Sequence, residues 1–309
     1  MRGVLAITGA TGRKSGGAFM DNLVSDYESV VHKFEKIRIL VRQSSDTTAL
    51  EKRIPDLDIK RGSFDDLNFL KEALKDVDTL VNVAGIQFSK KLIKAAAINK
   101  VRRVILVHTT GIYSKYKKAG EEYRKIDDYV YKLSKNKDII LTILRPTMIY
   151  GNLDDNNVCK FIKMVDKFPI MPVVNGARYQ LQPVHYRDLG KAYYQVLMDE
   201  EATANKDFNL SGGAPIYLRD MLQIIGKNLG KKVKFISVPF PIAYTGAVVI
   251  YWLSLKKIDY REKVQRLCEP RIFSYEDASK AFGYKPRRFE VGVQDEVKVY
   301  MKSKKLHKR

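Results

Sequence analysis

Apolar runs alternate with segments of helical periodicity along the first half of the sequence. Residues 4–8 form a short apolar run that stops at glycines. Phe19, Leu23 and Tyr27 then recur at the spacing of one helix face, and a second apolar run covers residues 37–41. This order predicts a strand, a glycine-rich turn, a helix and a second strand, which together make a βαβ unit.

The same alternation continues to about residue 150. Four further apolar runs are separated by helix-like segments and lie at residues 57–60, 79–83, 104–107 and 139–144. Several of these runs are apolar at almost every position, as in strands that are buried on both faces. We therefore expect an α/β fold with a doubly wound parallel Rossmann sheet of six strands, and a ligand at the carboxyl ends of those strands.

The second half of the chain is less regular and predicts a smaller lobe. Residues 183–206 carry a strand-like run and a helical pattern, and we expect them to rejoin the first lobe. This assigns residues 1–150 and about 183–206 to a large domain. Residues 151–182 and 207–309, with approximate limits, form a smaller C-terminal α+β lobe, under which a small-molecule substrate is expected to bind.

The most apolar stretch covers residues 238–255 and contains two prolines and a glycine. These residues leave only 242–255 as a helix, which is shorter than the roughly 20 residues needed to cross a bilayer. No transmembrane segment is therefore predicted. A buried helix that lines the substrate pocket is the preferred interpretation, and a helix on a membrane surface is the alternative.

The formal net charge of +21 makes nucleic acid a candidate partner, but the basic residues are dispersed over the sequence. We therefore favour a lysine-rich solvated surface over nucleic-acid binding. Cys159 and Cys268 lie far apart and form no CxxC pair, which argues against a metal site and indicates a reducing, cytoplasmic location. The sequence leaves the oligomeric state open, with a homodimer as one candidate.

A glycine-rich turn, Thr8-Gly9-Ala10-Thr11-Gly12, follows the first predicted strand and opens the first predicted helix. The pyrophosphate of a dinucleotide needs backbone amides at close range and a helix N-terminus pointed at it. Gly9, Gly12 and either Gly16 or Gly17 supply such a turn. The large domain is therefore predicted to be a dinucleotide-binding domain of Rossmann type.

Basic residues near this turn bear on the choice of cofactor. An acidic residue at the end of the second strand binds the ribose hydroxyls of NAD, whereas NADP needs a cation for its additional phosphate. Here the second strand ends in Arg42, and the glycine loop contributes Arg13 and Lys14. These cations favour NADP, with NAD as the alternative.

Several motifs resemble the short-chain dehydrogenase/reductase superfamily, in particular its extended and atypical branches, which include the sugar-nucleotide epimerases and the NmrA-like proteins. The resemblance covers nearly the whole chain and rests on TGATG at 8–12, LRPTMIYG at 144–151, PVHYRDLGKA at 183–192, FNLSGG at 208–213 and RIFSYEDA at 271–278. These motifs in combination are far more specific than a glycine turn alone.

The resemblance implies a set of cofactor contacts. Gly9, Thr11 and Gly12 would hold the pyrophosphate, and Ala84 and Gly85 would lie along the cofactor ribose. The nicotinamide would be bordered by Pro146, Thr147 and Met148. Ser63 stands where the family often has an acidic residue at the adenine, and Phe64 beside it would pack on the ring. The glycine loop is one residue longer than in the extended branch.

The resemblance also implies catalytic residues. The family uses a Ser or Thr after the fifth strand and a Tyr with a Lys one helical turn later, whose ammonium lowers the pKa of the phenol. Thr109 and Tyr123 match the first two positions, but Asp127 stands where the Lys would be. Two other pairs fit the Tyr-x-x-x-Lys spacing without matching the family position, namely Tyr113 with Lys117 and Tyr131 with Lys135.

Two functions follow from this pattern. The first is an NADP(H)-dependent oxidoreductase, or a relative of the sugar-nucleotide epimerases, with a non-standard active site. The second is a non-catalytic redox sensor or regulatory protein of NmrA-like type, which Asp127 motivates because it removes the usual Tyr-Lys chemistry.

Overall fold

The computed structural model describes residues 3–116, 118–155, 157–168 and 170–306. A seven-stranded parallel sheet dominates these residues, and its strand order is β11-β6-β5-β4-β1-β2-β3. The order reverses between β1 and β4, which is the point where doubly wound sheets bind their ligands. The predicted α/β Rossmann architecture is confirmed.

The strands of the described residues, in chain order, are β1 (Gly3–Thr8), β2 (Phe34–Val41), β3 (Asp58–Arg61), β4 (Val77–Asn82), β5 (Arg103–Val107), β6 (Ile140–Pro146), β7 (Ile149–Tyr150), β8 (Ile170–Val174), β9 (Gln180–Leu181), β10 (Val184–His185), β11 (Lys206–Leu210), β12 (Ile216–Tyr217) and β13 (Lys234–Val238).

The α-helices are α1 (Ser15–Ser25), α2 (Tyr27–Lys33), α3 (Thr48–Glu51), α4 (Leu67–Ala73), α5 (Ser89–Ile98), α6 (Gly120–Asn136), α7 (Val158–Lys167), α8 (Tyr186–Met198), α9 (Glu200–Thr203), α10 (Leu218–Asn228), α11 (Phe240–Leu253), α12 (Arg261–Leu267), α13 (Glu276–Phe282) and α14 (Phe289–Leu306). Short 3-10 helices cover Ile86–Phe88, Thr110–Tyr113 and Asn175–Ala177.

The central strands bury side chains on both faces of the sheet, which explains their near-continuous apolar sequence. In β1, Leu5 and Ile7 enter the core beneath α1 and α8, whereas Val4 and Ala6 enter the core beneath α4, α5 and α6. Successive side chains of a strand point to opposite faces, so a strand covered by helices on both sides needs apolar residues at every position.

The seventh strand corrects the division made from the sequence. Residues 207–210 were assigned to the small lobe, but β11 pairs in parallel with β6 at the edge of the large sheet. Helix α13 also packs on the large core, to which Ala278 and Phe282 belong. Strand pairing between such distant segments has no local signature, and a five-residue run does not show which sheet it joins.

A third apolar cluster is built by α7, α10 and α14 together with short two-stranded sheets. Ile162, Met221, Ile225 and Val293 are among its fully buried side chains. Met148 and Leu181 of this cluster also contribute to the functional site described below.

Helix α11 differs from the sequence-based interpretation in its environment. Residues 242–255 were expected to be buried against the substrate, yet within α11 only Ala247 is classed as buried. Ile242, Trp252 and Leu253 are 63%, 60% and 80% exposed. The expectation of a buried helix is therefore wrong, because apolar composition alone does not establish that a partner element covers a helix.

The packing of α1 against α8 yields a test of the fold. A Cβ on Gly190 would lie 2.4 Å from the backbone carbon of Ala18, whereas a Cβ on Gly246 of α11 would have no atom within 4 Å. We expect Gly190→Ala to destabilise the protein by about 1–3 kcal/mol through overpacking. Gly246→Ala should stabilise it by about 0.5–1 kcal/mol, because alanine is the better helix former. Urea unfolding measures both changes, and equal midpoints for the two variants would contradict this packing.

Candidate functional site

The turn between β1 and α1 is pressed against the end of β4. Gly9 has a φ of +77°, and a Cβ at this position would lie 2.8 Å from the amide nitrogen of Ala84. A Cβ on Gly16 would lie 2.1 Å from the carbonyl oxygen of Gly9. A side chain at Gly9 or Gly16 would therefore collide with the neighbouring backbone. Without these side chains the turn is tight, and its amides can bind a ligand at close range.

A cavity of ≈ 700 Å³ opens over this turn, and we call it the glycine-loop cavity. Eight of the residues predicted to bind the cofactor line it, namely Gly9, Thr11, Gly12, Arg13, Lys14, Arg42, Phe64 and Ala84. The other five do not line it, and Ser63 and Gly85 are the two of these that follow β3 and β4 in the sequence. Ser63 is exposed and accepts a hydrogen bond from the amide of Asp65, and Gly85 forms the positive-φ turn behind Ala84.

The glycine-loop cavity offers both an apolar surface and cations. Phe64 is buried at its wall and meets the ring of Phe88 edge to face at 5.3 Å between centroids. Arg42 lines the same cavity and is exposed, while Arg13 lies 3.8 Å from the carboxylate of Asp154. An aromatic wall suits a purine, and exposed guanidinium groups suit a phosphate.

A second cavity of ≈ 430 Å³ lies beside the ends of β5 and β6, and we call it the Thr109 cavity. Lys14 and Ile149 line both cavities and therefore mark where the two meet. Of the residues predicted to border the nicotinamide, Thr147 and Met148 line the Thr109 cavity, whereas Pro146 is buried within β6.

Thr109 is held at the start of a 3-10 helix. Its Oγ1 accepts a hydrogen bond from the amide of Gly111 at 3.0 Å, so that the threonine caps Thr110–Tyr113. An acceptor role for the oxygen leaves the hydroxyl hydrogen for a ligand in the cavity. Tyr113 lines the same cavity, and its ring lies 5.3 Å from that of Phe273.

Residues from the C-terminal third close the Thr109 cavity. The carboxylate of Glu269 accepts hydrogen bonds from the Ser114 hydroxyl at 2.6 Å and from the Lys115 amide at 2.9 Å. Gln182 accepts a hydrogen bond from the amide of Phe273 at 3.1 Å, and its backbone oxygen accepts one from the Thr147 hydroxyl at 2.5 Å. These bonds fix the loop after β5 and the cavity wall to one another.

Two arginines give the Thr109 cavity a cationic wall. Arg266 and Arg271 both line it, and within the described residues their buried Nε atoms have no hydrogen-bond partner. Burial lowers the pKa of Arg271 to about 10, which still leaves it charged at neutral pH. Buried donors without an internal partner are groups that a bound anion can satisfy.

Asp127 does not take the place of a catalytic lysine but belongs to a buried ionic network. It is 4% exposed, and its two carboxylate oxygens lie 2.6 Å from Nδ1 of His108 and 2.7 Å from Nη2 of Arg145. Burial raises the pKa of Asp127, but the contacts with His108 and Arg145 outweigh this effect and leave the pKa below its ordinary value. Asp127 is therefore a carboxylate at neutral pH.

His108 extends this network in its neutral form. Burial lowers the pKa of His108 more than the neighbouring carboxylate raises it. A neutral ring donates from Nδ1 to Asp127 and accepts at Nε2 from the Ser89 hydroxyl, which lies at 2.9 Å. Arg145 also donates to the hydroxyl of Tyr131 at 3.2 Å. Tyr131 thus belongs to the network.

Tyr123 lies on α6 and packs against the core beneath α4, α5 and α6. Tyr123 is absent from the described lining of both cavities. Thr109, the other predicted catalytic residue, lines the Thr109 cavity. The structure therefore brings Thr109 together with the cofactor residues and leaves Tyr123 apart from them. Lys117, the partner that the spacing gave to Tyr113, lies outside the described residues.

Sequence reasoning missed part of the Thr109 cavity. Tyr113 was set aside as a loop residue, although its position four residues after Thr109 on the same loop was a signal. Arg271 stands in a quoted motif but was given no role. Arg266 and Glu269 carry no sequence signal, because only the folded chain brings α12 and the segment after it to the loop that follows β5.

Among the described residues, no group of three or more His, Cys, Asp or Glu side chains could hold a metal ion. In the same part of the chain, no helix combines the length and apolarity that crossing a membrane requires.

Comparisons with known proteins identify the type of protein. The family model described as "NmrA-like family" matches residues 1–258. A mitochondrial NADH dehydrogenase [ubiquinone] 1 alpha subcomplex subunit 9 of Arabidopsis thaliana is 26% identical over 102 residues, which make up 33% of this chain and 25% of that protein. The match thus spans about a quarter of that relative.

Two further similarities cover more of the chain. The N-acetyl-alpha-D-glucosaminyl-diphospho-ditrans,octacis-undecaprenol 4-epimerase of Escherichia coli O157:H7 is 22% identical over 246 residues, 65% of this chain and 74% of that protein. Triphenylmethane reductase of Citrobacter sp. superposes with a TM-score of 0.72 at 19% identity, over 96% of this chain and 99% of that one. The family match confirms the resemblance to the NmrA-like proteins, and the solved structure shares the fold.

The ionic network gives a stability prediction. Asp127→Ala would remove one of the two carboxylates that pair with the buried Arg145, leaving Asp207, and would leave His108 without its acceptor, so we expect a loss of about 1–3 kcal/mol. The neighbouring Asp128 is exposed, so Asp128→Ala is a matched control with a change within about 0.5 kcal/mol. Urea unfolding at pH 7 measures both.

The contacts of Asp127 also predict how the free energy of unfolding depends on pH. Because the folded-state pKa of Asp127 is lowered, its contribution is complete above its unfolded pKa of about 4. The contribution is lost as the pH falls through the folded-state pKa. The stability difference between the parent and Asp127→Ala should therefore shrink below about pH 4. A difference that is absent at pH 7, or independent of pH, would contradict this assignment.

Proposed function

The chain belongs to the NmrA-like family, and from this premise we propose that it binds NADP(H) and catalyses hydride transfer to or from a small anionic substrate. The observation that carries this proposal is the meeting of two cavities at Lys14 and Ile149. One cavity has the features that a dinucleotide needs, and the other offers hydroxyl groups and cations beside it. A reaction between two bound molecules requires such adjacent sites.

The glycine-loop cavity fits the dinucleotide. The amides of the turn at Gly9, Thr11 and Gly12 would hold the pyrophosphate, and the close packing of Gly9 on Ala84 keeps the turn in its tight shape. Phe64 would contact the adenine, and Arg42 would pair with the 2′-phosphate, which favours NADP over NAD. When bound, the cofactor supplies a hydride donor or acceptor. The triphenylmethane reductase structure has also been determined with NADP(H).

Thr109 and Tyr113 would act on the substrate oxygen. The Thr109 hydroxyl donates a hydrogen bond to this oxygen and holds it at the end of β5. Tyr113 lines the same cavity and can donate a proton to the oxygen when a carbonyl is reduced, or take one from an alcohol in the reverse direction. Neither step requires Tyr123.

The cationic wall restricts the class of substrate. Arg266 and Arg271 line the cavity, and a phosphate or carboxylate of the substrate would pair with their guanidinium groups. Lys14 adds a third cation at the junction of the two cavities, and Glu269 is occupied by the loop that it holds. We therefore propose a substrate that carries both a carbonyl or hydroxyl group and a negative charge. The sugar-nucleotide epimerase chemistry predicted from the sequence falls within this class.

A non-catalytic sensor is the second candidate function. It is favoured by the absence of a Tyr-Lys pair at the family position, since Asp127 is committed to Arg145 and His108. A lysine at position 127 would place two cations together in the interior, so Asp127→Lys cannot restore the usual chemistry. In the sensor, the two cavities would bind NADP(H) and an effector without hydride transfer. A cytoplasmic location and a homodimer stay proposals for either function.

Arg42 gives a test of cofactor choice. Arg42→Ala should weaken NADPH binding by about 10–100-fold, the loss expected for one charge-assisted contact, while NADH binding stays unchanged. Arg53→Ala is a matched control, because Arg53 is an exposed arginine that pairs with Asp21 outside the described cavity lining. Titration calorimetry with both nucleotides measures this. An equal loss for NADPH and NADH, or none, would contradict the assignment of Arg42.

Variants of Thr109 and Tyr123 test whether catalysis uses the Thr109 cavity or the tyrosine at the family position. Thr109→Val removes a hydrogen-bond donor to the substrate oxygen and should lower kcat/KM by about 100-fold. Tyr123→Phe should leave kcat/KM unchanged. NADPH oxidation is followed with a panel of anionic carbonyl compounds and with uncharged analogues as controls. A loss of activity in Tyr123→Phe alone would contradict the proposed roles, and NADPH binding without turnover of any compound would favour the sensor.

A further inference from the structure

The exposed side of α11 is an apolar surface of unusual extent for a solvated helix. Ile242, Val249 and Leu253 follow one another at the spacing of a single helix face, and Ile250 and Trp252 flank them. All five are exposed, and Leu255 just beyond the helix is also exposed. We call this set the α11 face. An exposed contiguous apolar patch marks an interaction site.

Lysines are frequent in the sequence around α11, and the first acidic residue after the helix, Asp259, is paired with Lys118 and Arg261. Residues 221–258 contain no Asp or Glu and carry six lysines, namely Lys227, Lys231, Lys232, Lys234, Lys256 and Lys257. Lys231 is paired with Asp166, whereas the ammonium of Lys256 lies 5.0 Å from the centre of the Trp252 ring. An apolar helix face beside lysines of this density is complementary to a surface that is apolar inside and negatively charged outside.

The length of α11 determines whether the helix could cross a membrane or only lie along its surface. The 14 residues of α11 are uncharged and extend for about 21 Å, which is shorter than the roughly 30 Å hydrocarbon core of a bilayer. The helix can therefore lie in the plane of a membrane surface but cannot cross it. Trp252 and Tyr251 stand at its C-terminal end, next to Lys256 and Lys257, as expected at the level of the lipid headgroups.

We propose that the α11 face binds the surface of an anionic lipid bilayer, with its apolar side chains at the boundary between headgroups and acyl chains and with Lys256 and Lys257 on the headgroups. The binding does not depend on catalysis. It places α12 beside the membrane, because the guanidinium of Arg261 lies 3.8 Å from the centre of the Tyr251 ring. Helix α12 carries Arg266, so one wall of the Thr109 cavity lies close to the lipid.

The protein carries its own probe for this contact. Trp252 is the single tryptophan of the chain and is 60% exposed. The full chain is mixed with vesicles of phosphatidylcholine and phosphatidylglycerol at about three to one, or of phosphatidylcholine alone. We expect co-sedimentation and a blue shift of the tryptophan emission with the anionic vesicles, both reduced at high salt because counterions screen the lysines. Neutral vesicles should bind far more weakly.

Matched variants assign the contact to the α11 face. Leu253→Glu, at an 80% exposed position, should weaken vesicle binding at least about tenfold, and the Lys256→Gln/Lys257→Gln pair about 10–30-fold. Val291→Glu, at a 60% exposed position on α14, and the exposed pair Lys132→Gln/Lys135→Gln are controls with the same changes elsewhere. These controls should bind as the parent does. Circular dichroism confirms that each variant is folded.

Three results would overturn the proposal. The first is absence of binding to the anionic vesicles, and the second is equal weakening by the controls. The third is a blue shift of the tryptophan emission without lipid that grows with protein concentration, together with a doubled mass in light scattering. In that case a second copy of the chain would cover the α11 face.

Discussion

The buried pair of Asp127 and Arg145 is the interaction that fixes the architecture around the site. It joins α6 to the end of β6, and His108 at the end of β5 completes it. Two charges removed from water cost several kcal/mol unless each is paired and hydrogen bonded, so the three side chains must stay together. Thr109 directly follows His108, Thr147 lies two residues after Arg145, and both line the Thr109 cavity. The network therefore fixes the ends of β5 and β6, whose following residues line the Thr109 cavity, relative to one another.

A steric constraint fixes the shape of the glycine-rich turn at the other cavity. The turn after β1 is held against β4 at a distance that only glycine allows at position 9. This close approach leaves room for a nucleotide above the turn and sets Lys14 at the junction with the Thr109 cavity. The glycine-loop cavity therefore depends on the backbone contact between Gly9 and Ala84, and the Thr109 cavity depends on the buried ionic network of Asp127. Together they account for a glycine-loop cavity beside a polar, cationic cavity, without a Tyr-Lys pair at the family position.

The fold and half of the site could be predicted from the sequence, since they depend on local patterns. Apolar periodicity specifies strands and helices, and a glycine turn directly behind a strand specifies where phosphate binds. The role of Asp127 could not be predicted in this way, because its partners His108 and Arg145 are brought to it only by the packing of α6 on β5 and β6. The exposure of α11 was missed for a related reason. Composition gives the apolarity of a helix but not the presence of an element that covers it.

The most direct test of this account is the crystal structure of the chain with NADPH bound. We predict the pyrophosphate on the amides of the turn at Gly9 to Gly12, the 2′-phosphate at Arg42, and the nicotinamide ring in the Thr109 cavity with Tyr123 out of contact. A nicotinamide ring that lies outside the Thr109 cavity, or one that contacts the phenol of Tyr123, would contradict it.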